Sequence, residues 1–412
     1  MSIFKEIPPT SGFPLYLNDF LSSFNTGPSL EDDFKNYIGL DYACVTYSGT
    51  AAFYFILETI KDLSPKKTVV IPSYVCPLVP LAIKRAGLKI EVCDISNNRF
   101  DYDYQELANI CTNKDDILAV VAVHLAGLPL DLDSLKKITE DKKIFLIEDC
   151  AQSLGAEYNG IKTGALGDFS FFSLCRGKGL TIYEGGVAAT NKKEYSAALD
   201  NKINLLAGEA GISEALKIWE LFGYWFFYRP QLAWFIFRLP QLFWQLEGNK
   251  LKAVREYFEE DFPIHKVSKF RKSVGHSAFL RLEQEIIKQR EKAAFYLGRL
   301  KEIDGVAAVE ESPGTKATYP YLALVFHEPG KREAALKALS HYGLGVSQVY
   351  AYAITDYDYL KAVVPYKDCP NGRSLAERAI TLSTSTFLCD KEMDSVITKL
   401  IATMQHGQYN LR

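Results

Sequence analysis

The sequence lacks the features that mark secreted, membrane-spanning or nucleic-acid-binding proteins. Its formal net charge is −3 over 412 residues, so no general basic surface is available for nucleic acid. The first residues contain no basic stretch followed by an apolar run, and we therefore expect no secretory signal. A run of about 20 uninterrupted apolar residues, which a membrane-spanning helix needs, is also absent.

The sequence also lacks patterned cysteines. Its eight cysteines are scattered and form no CxxC pair, and several fall in apolar runs typical of strands. We therefore expect buried, reduced thiols in a cytoplasmic protein and no metal site. No internal repeat or low-complexity linker is present, and 412 residues suffice for two domains with a large core.

From residue 28 to residue 200, segments typical of helices alternate with segments typical of strands. The predicted helices cover 29–37, 49–61 and 77–86, and the predicted strands cover 42–47, 68–71, 89–94, 117–123 and 143–147. The last two strands are continuous apolar runs, as expected of strands that are buried on both faces. The alternation predicts a mainly parallel α/β sheet.

The C-terminal third has a different pattern. Residues 268–301 are predicted to form one long amphipathic helix, because apolar residues recur there at helical spacing. A strand is predicted at 319–326, and helices are predicted at 331–343 and 391–404. This part of the chain is therefore expected to be α+β.

The most informative segment is 145–186, in which a predicted buried strand ends at Asp149. Gln152 follows, then Ser173, and then Lys178 between two glycines. A carboxylate at the C-terminal end of a parallel strand lies where the sites of α/β proteins form. An acid, a polar group for a phosphate and a glycine-framed lysine are what a pyridoxal phosphate (PLP) enzyme needs.

A second site element is the sequence Ser48-Gly49-Thr50-Ala51, between a predicted strand and a predicted helix. Such a turn offers free backbone N–H groups, the positive end of a helix and a hydroxyl, which together suit a phosphate. The alternative is a plain capped turn with no ligand.

The other residues also have ordinary structural interpretations. Asp149 could cap the turn that follows it, with Glu148 as the functional acid instead. Lys178, taken alone, would be a surface lysine. The order of an acid, a serine and then a lysine favours a site.

These ordered motifs resemble the DegT/DnrJ/StrS sugar aminotransferases, a PLP-dependent family with the aspartate aminotransferase fold. The matching segments are NYIGLDYACVTYSGTAA, VVIPSYVCPLVPLAIKRAGLKIEVCDI, VHLAGLPLDLDSL, IEDCAQSLGAEYNGIKTGALGDFSFFS with KGLTIYEGG, and CPNGRSLAERAITLSTS. The resemblance covers residues 30–200 and 265–405. It implies an α/β, aspartate-aminotransferase-like large domain over 1–265 and a smaller α+β C-terminal domain over 266–412.

The resemblance also implies a role for each site residue. Lys178 would form the Schiff base with PLP and shuttle protons, and Asp149 would pair with the pyridine nitrogen. Gln152 would lie near the ring hydroxyl. His124 would support the site beneath the cofactor, although it could equally be a satisfied core histidine. The phosphate ligands would be Gly49, Thr50, the Ala51 backbone and Ser173.

The sequence departs from the family pattern at the cofactor ring and at the subunit interface. Cys76 stands where relatives often carry an aromatic residue that stacks on the ring, and the nearest aromatic residue is Tyr74. The family asparagine that reaches the phosphate of the partner subunit is missing. Its candidate substitutes are His265, Lys266 and Arg271.

A third departure surrounds the lysine. Relatives often have small residues or asparagine around the lysine, where this chain has Arg176, Gly177 and Tyr183. Lys178 itself is retained. Related dehydratases carry a histidine in place of the lysine, so the resemblance favours transamination.

Residues 205–262 interrupt the α/β pattern with an apolar, tryptophan-rich insert. All four tryptophans lie between residues 219 and 244. Three interpretations stay open: a helical hairpin packed on the protein's own body, a wider dimer interface, or a membrane-surface contact through 218–246. In the third, Arg229 and Arg238 would reach back to the headgroups.

The expected function is PLP-dependent transfer of an amino group from glutamate to a 3- or 4-keto sugar carried on a nucleoside diphosphate, for polysaccharide or glycan precursors. The resemblance also implies a homodimer with the active site at the subunit interface. Two alternatives are a PLP enzyme acting on a non-sugar ketone such as a cyclitol, and a non-catalytic membrane-associated protein. The expected location is the cytoplasm, with peripheral contact at the inner membrane face under the third interpretation of the insert.

Overall fold

The strands fall into one large sheet and two small ones. The structure, a computed structural model, describes residues 5–21, 29–209, 211–247, 251, 256–340 and 342–406. Its strands are β1 (Tyr42–Thr46), β2 (Thr68–Pro72), β3 (Lys89–Cys93), β4 (Ile117–Val123), β5 (Phe145–Asp149), β6 (Glu157–Tyr158), β7 (Ile161–Lys162), β8 (Phe169–Ser173), β9 (Gly186–Thr190), β10 (Val306–Ala308), β11 (Thr315–Lys316), β12 (Tyr321–Phe326) and β13 (Ala379–Ser383).

Helices connect and cover these strands. They are α1 (Leu17–Leu21), α2 (Leu30–Ile38), α3 (Gly49–Leu63), α4 (Leu78–Arg85), α5 (Tyr104–Asn113), α6 (Leu132–Thr139), α7 (Lys193–Leu206), α8 (Ile212–Phe227), α9 (Ala233–Ile236), α10 (Arg238–Leu246), α11 (Lys269–Phe279), α12 (Leu282–Leu300), α13 (Pro329–Ser340), α14 (Pro370–Arg378) and α15 (Asp390–His406).

The large sheet has seven strands in the order β1-β9-β8-β5-β4-β2-β3. The pairs from β3 through β8 are parallel, whereas β9 runs antiparallel to both β1 and β8. Strands β2 and β4 are buried along their whole length, because helices cover both faces of the sheet. The predicted mainly parallel α/β architecture is confirmed.

Local sequence signals place several elements where the pattern predicted them. Strand β4 has the predicted bounds, and Ser29 caps α2 in a capping box with Asp32. The predicted strand 143–147 begins and ends two residues later, at Phe145–Asp149. Asp149 is therefore the last residue of a strand, where its side chain reaches the edge of the sheet.

The prediction of one helix over 268–301 is wrong. The segment forms α11 and α12, which are separated at Leu280 and Arg281. Arg281 leaves helical geometry with φ −105° and ψ 2°, and its guanidinium donates to both Asp19 carboxylate oxygens at 2.6 and 2.8 Å. The sequence pattern did not reveal the break because the apolar residues keep their helical spacing through it, although the backbone leaves helical geometry.

The C-terminal part contains the antiparallel sheet β10-β12-β13. Helices α13 and α15 pack on each other, and α12 contacts β10, β12 and α15. Strands β10, β12 and β13 contribute to the same hydrophobic core cluster as β2 and β4. The division of the chain at residues 265 and 266 stays a prediction.

The tryptophan-rich insert forms α8, α9 and α10, although residues 210, 248–250 and 252–255 of it lie outside the described residues. One face packs on the protein's own body. Leu221, Tyr224 and Tyr228 are buried in a core cluster, and the Phe222 ring stacks on Phe20 with centroids 4.6 Å apart. The insert is thus anchored as a helical unit on the large domain.

The other face of the insert is exposed. Trp219 is 74% exposed and Phe243 is 54% exposed, and further exposed apolar side chains belong to Ile212, Leu216, Phe226 and Leu246. Arg229 donates to the Leu15 carbonyl at 2.9 Å and Arg238 to Gln241 at 3.1 Å. Both arginines thus donate to groups of the protein itself, and the expectation that they reach toward headgroups stays a prediction. In the described part of the chain, no helix is long and apolar enough to span a membrane.

Candidate active site

Three chain segments meet at the carboxyl end of the central strands. Asp149 ends β5, which occupies the middle of the large sheet, and Ser173 ends the neighbouring β8. Ser173 pairs with Gly186 of β9, and Gly186 pairs in turn with Thr46 of β1. This register brings the turn between β1 and α3 beside Ser173, and both lie at the same edge of the sheet as Asp149.

The close approach of the β1–α3 turn depends on glycine. A Cβ added at Gly186 would lie 2.4 Å from the Gly49 nitrogen and from the Ser48 carbonyl. A Cβ added at Gly49 would lie 3.1 Å from the Cβ of Ser173. The turn therefore packs directly on β8 and β9, with no room for a side chain between them.

The amino end of α3 forms an anion cradle with Ser173. The Ser48 hydroxyl accepts from the Ala51 N–H at 3.0 Å, and the Ser48 carbonyl accepts from Ala52. The Gly49 and Thr50 amides come before these bonds in the chain. They belong to the first turn of the helix, where backbone amides have no partner within the helix. The positive end of this 15-residue helix favours an anion such as a phosphate. The Ala51 amide, expected to bind phosphate, is engaged in the cap.

Asp149 is a buried acid without a full counter-charge. It is 5% exposed, and its Oδ1 accepts from the Ala151 N–H at 3.0 Å. Burial raises the pKa of Asp149 to about 6, although the Ala151 hydrogen bond and the charge of Lys178 act in the opposite direction. A cation next to this carboxylate would stabilise its ionised form, and the protonated nitrogen of a pyridine ring is such a cation.

Glu148, the alternative acid, has a structural role. It is fully buried, and its carboxylate accepts from the amides of Gly164, Leu166 and Gly167 at 2.6–2.8 Å. Burial acts to raise its pKa, but the hydrogen bonds from His124 and these amides hold the pKa below its usual value. Consecutive strand residues face opposite sides, so Asp149 alone of the two acids reaches the site.

His124 is a satisfied core histidine. Its Nδ1 accepts from the Leu130 N–H at 3.2 Å, which leaves Nε2 to donate to Glu148 at 3.0 Å. Its main-chain N–H donates to the Asp149 carbonyl at 3.1 Å. His124 thus supports the strand end that carries Asp149, and neither ring nitrogen is available to a ligand.

His124, Glu148 and Cys150 place their ligand atoms within 4.8 Å of one another. The Glu148 oxygens already accept from three amides and from the histidine ring. These atoms are therefore the centre of a buried hydrogen-bond network, and a metal ion would have to displace its donors.

Gln152 presents its amide nitrogen as a donor. Its Oε1 accepts from the Ala126 N–H at 2.9 Å and from the Tyr321 hydroxyl at 2.7 Å. With the oxygen held by two donors, Nε2 is directed away from them. It suits an acceptor such as the ring hydroxyl oxygen of a pyridoxal group.

Lys178 lies in a tight loop after β8. Gly177 has a φ of +78°, and the Lys178 N–H donates to the Cys175 carbonyl at 3.1 Å. The half-buried lysine side chain is close enough to Asp149 and Cys76 for its charge to oppose the burial-driven rise in their pKa values. Burial nevertheless raises the pKa of the Cys76 thiol to about 11, so Cys76 is a neutral group in this pocket.

Arg271 anchors the segment that follows Lys178. It is fully buried, and it donates to the Glu214 carboxylate at 2.7 and 2.6 Å. It also donates to the carbonyls of Ile182 and Glu184. Arg271 is therefore unavailable to a partner subunit. The suggestion that it replaces the family asparagine at the partner's phosphate is wrong.

The sequence profile of the DegT/DnrJ/EryC1/StrS aminotransferase family matches residues 16–214 and 246–401. The chain belongs to this family. Its members are PLP-dependent aminotransferases, and the site described above fits the cofactor: a cradle for its phosphate, a buried acid for its ring nitrogen and a lysine for its aldehyde. The gap in the match, residues 215–245, falls within the insert.

One relative in sequence and two solved structures are similar to this chain, and the structures, at under 20% identity, show a shared fold. The chain is 29% identical over 281 residues to a UDP-4-amino-4,6-dideoxy-N-acetyl-beta-L-altrosamine transaminase of Campylobacter jejuni, covering 65% of this chain and 72% of that protein. It is similar in structure to DesI, solved with its TDP-sugar product, with a TM-score of 0.76, 19% identity and coverage of 98% and 94%. An Escherichia coli GDP-4-keto-6-deoxy-D-mannose-3-dehydratase with bound hydrated PLP gives a TM-score of 0.72, 16% identity and coverage of 96% and 100%.

Several pocket residues of this DegT/DnrJ/EryC1/StrS aminotransferase had no signal in the sequence. Tyr321 orients Gln152 from β12. Burial, followed by the nearby Cys76, Tyr321 and Asp149, raises the pKa of the Tyr350 phenol. Glu256 lies at the end of the insert, where its charge acts on Cys76. All three are far from the 145–186 segment in sequence, and only the fold brings them to it.

Proposed function

We propose that this aminotransferase transfers the amino group of glutamate to a keto sugar carried on a nucleoside diphosphate. The observation that supports the proposal most strongly is a lysine retained in a glycine loop, close to the buried Asp149 and beside the cradle at Gly49 and Ser173. Similarity to relatives named for UDP-, TDP- and GDP-linked sugars supports the substrate class.

Bound PLP would carry the amino group between the two substrates and accept the electron pair that each deprotonation releases. The chain would hold the cofactor at both ends. The Gly49 and Thr50 amides and the Ser173 hydroxyl would bind the phosphate. The Asp149 carboxylate would accept from the ring nitrogen, and the Gln152 amide would donate to the ring hydroxyl.

Lys178 would have two tasks. Its Nζ would hold the cofactor covalently between turnovers, and once released it would move a proton between substrate carbon and cofactor. The buried Asp149 would stay ionised beside a protonated ring nitrogen, because the paired charges offset the desolvation that raises its pKa when it is alone.

The substrate is tested with a set of keto sugars on UDP, GDP and TDP, incubated with PLP and glutamate. The expected result is an amino sugar product on one carrier, together with 2-oxoglutarate in equal amount. A cyclitol ketone in the same set is the control for substrate class. Product from the cyclitol alone would contradict the sugar assignment, and product only with another amino donor would contradict glutamate.

We further propose a homodimer with the active site at the subunit interface. Lys266, which is exposed, and His265, which is partly buried, follow the insert, and one of them would replace the residue that reaches the partner's phosphate in relatives. Analytical ultracentrifugation of the holoenzyme is expected to show a dimer, and Lys266→Ala or His265→Ala to weaken PLP binding. A monomer with full activity would contradict this assignment.

We also propose a cytoplasmic location with peripheral membrane contact through the exposed face of 218–246. Exposed aromatic and aliphatic side chains in one segment favour a membrane surface over water. The wild-type protein is expected to co-sediment with vesicles of phosphatidylcholine and phosphatidylglycerol. The double variant Trp219→Ser, Phe243→Ser is expected to stay in the supernatant. The matched control is Tyr366→Ser, which removes a 79% exposed aromatic residue outside the insert. Equal sedimentation of both variants would contradict the proposal.

A further inference from the structure

One side of the proposed cofactor pocket is lined by a small side chain, Cys76. The cofactor ring would need shielding from water on that side. Cys76 lies just before α4 and is half-buried, and the charges of Lys178 and Asp149 both act on its thiol. A thiol covers far less of a planar ring than an aromatic side chain does. The Cys76 side of the pocket therefore requires another residue to exclude water.

Tyr74, the nearest aromatic residue in sequence, does not fill this space. It is buried in the core, where its ring lies parallel to Phe100 with centroids 6.3 Å apart. Its hydroxyl accepts from the Tyr350 N–H at 2.9 Å and donates to the Tyr350 carbonyl at 3.1 Å. Tyr74 thus fixes the main chain of another tyrosine, from a segment far along the chain.

The other side of this main chain is held by Glu256. The Ala351 N–H donates to its carboxylate at 2.8 Å, and the Tyr357 hydroxyl donates to the same oxygen. Glu256 is almost completely buried, and burial raises its pKa. The main chain at Tyr350 is therefore held on one side by Tyr74, which follows β2, and on the other by Glu256, at the end of the insert.

The Tyr350 side chain packs beside the segment that carries Cys76, since its ring lies against Tyr74. Its ring meets Tyr74 at an interplanar angle of 67° with centroids 5.4 Å apart. Burial, followed by the nearby Cys76, Tyr321 and Asp149, raises the pKa of its phenol well above the usual value. The Tyr350 ring therefore lies next to the segment of Tyr74 and Cys76, close enough to Cys76 and Asp149 for them to act on its phenol.

We propose that Tyr350 covers the face of the cofactor ring that Cys76 leaves open, held there by Tyr74 and Glu256. The inference rests on the proposed placement of the ring between Asp149, Gln152 and Lys178. Tyr350 is a cofactor-binding residue in this account, contributed by the C-terminal half of the chain rather than by the segment after β2.

PLP titration of the cofactor-free protein tests this placement, with the dissociation constant and the absorption band of the bound cofactor as readouts. Tyr350→Ala is expected to weaken PLP binding about fivefold, because an aromatic pair contributes about 1 kcal/mol beyond its area. Tyr350→Phe keeps the ring and is expected to bind within about twofold of wild type. Tyr352→Ala, a half-exposed neighbour, is the matched control.

A ring restored at residue 76 gives the decisive comparison. Tyr350→Ala combined with Cys76→Phe is expected to recover most of the lost affinity. Tyr350→Leu keeps apolar bulk and serves if the alanine variant does not fold. Wild-type affinity in both Tyr350→Ala and Tyr350→Leu, or no recovery with Cys76→Phe, would overturn the inference. Failure of the wild-type protein to bind PLP would instead contradict the proposed function.

Discussion

The Tyr321 hydroxyl donates a 2.7 Å hydrogen bond to Gln152 Oε1. Together with the Ala126 N–H, which donates to the same oxygen, this bond decides which end of the Gln152 amide faces the pocket. A residue on β12 therefore controls a group that follows β5. The proposed role of Gln152 as a donor to the cofactor depends on this arrangement.

Tyr321→Phe removes the hydroxyl and keeps the ring. We expect PLP affinity to fall about fivefold, as for the loss of one neutral hydrogen bond of about 1 kcal/mol. The measurement is PLP titration followed by absorbance. In a Gln152→Ala background the same change is expected to have little further effect, and a full additional loss there would contradict the link between the two residues.

Gly186→Ala introduces a Cβ 2.4 Å from the backbone of Ser48 and Gly49. Because backbone atoms cannot move aside cheaply, we expect a loss of about 1–3 kcal/mol in unfolding free energy and weaker PLP binding through the displaced cradle. Urea unfolding and PLP titration measure the two effects. Gly223→Ala in α8, where no atom lies within 4 Å, is the control and is expected to leave both quantities unchanged or slightly improved.

Arg271→Leu breaks a buried ion pair and leaves Glu214 without its cation. We expect a loss of about 3–5 kcal/mol in unfolding free energy. The exposed pair of Arg299 and Asp394 provides the matched control, since Arg299→Leu is expected to cost about 1 kcal/mol or less. Equal losses for the two variants, measured by urea unfolding, would contradict the structural role given to Arg271.

Asp149 makes the stability of the cofactor-free protein depend on pH. Its pKa is raised from 3.8 to about 6 in the folded state, so the folded protein holds a proton there that the unfolded chain has already lost. Stability should therefore fall as pH rises from about 4 to about 6, by at most about 3 kcal/mol, and then level off.

Asp149→Asn removes this titration. The difference in unfolding free energy between the variant and the wild type, both without cofactor, is expected to grow between pH 5 and pH 7, since all other groups cancel. Urea unfolding at the two pH values measures it. A difference that is independent of pH would show that the carboxyl is not held in its protonated form by burial.

The sequence alone predicts the main sheet and the site segment because these depend on local signals. Continuous apolar runs identify β4, and Ser29 identifies the start of α2. The local pattern could not decide between Glu148 and Asp149, because adjacent strand residues face opposite sides and either could face the site; only the family resemblance pointed to Asp149. The amides of 164–167 that engage Glu148 are brought to it only by the fold.

Other features depend on contacts between distant residues, which no local pattern encodes. The break between α11 and α12 is accompanied by an ion pair from Arg281 to Asp19, 262 positions away. Tyr321, which bonds Gln152, and Tyr350, which packs on Tyr74, both come from the C-terminal half of the chain. The insert's apolar composition predicts that it packs on something, but not which side chains it buries and which it leaves exposed.

The assignment as a PLP-dependent aminotransferase is tested most directly at Lys178. The wild-type protein with PLP is expected to absorb in the near-ultraviolet or visible range, to change its spectrum when glutamate is added, and to retain the cofactor permanently after borohydride reduction. Lys178→Ala should lose the borohydride-fixed cofactor and the turnover, whereas Lys89→Ala, at a 74% exposed lysine that begins β3, should keep both. A Lys178→Ala variant that transaminates at the wild-type rate would contradict the account.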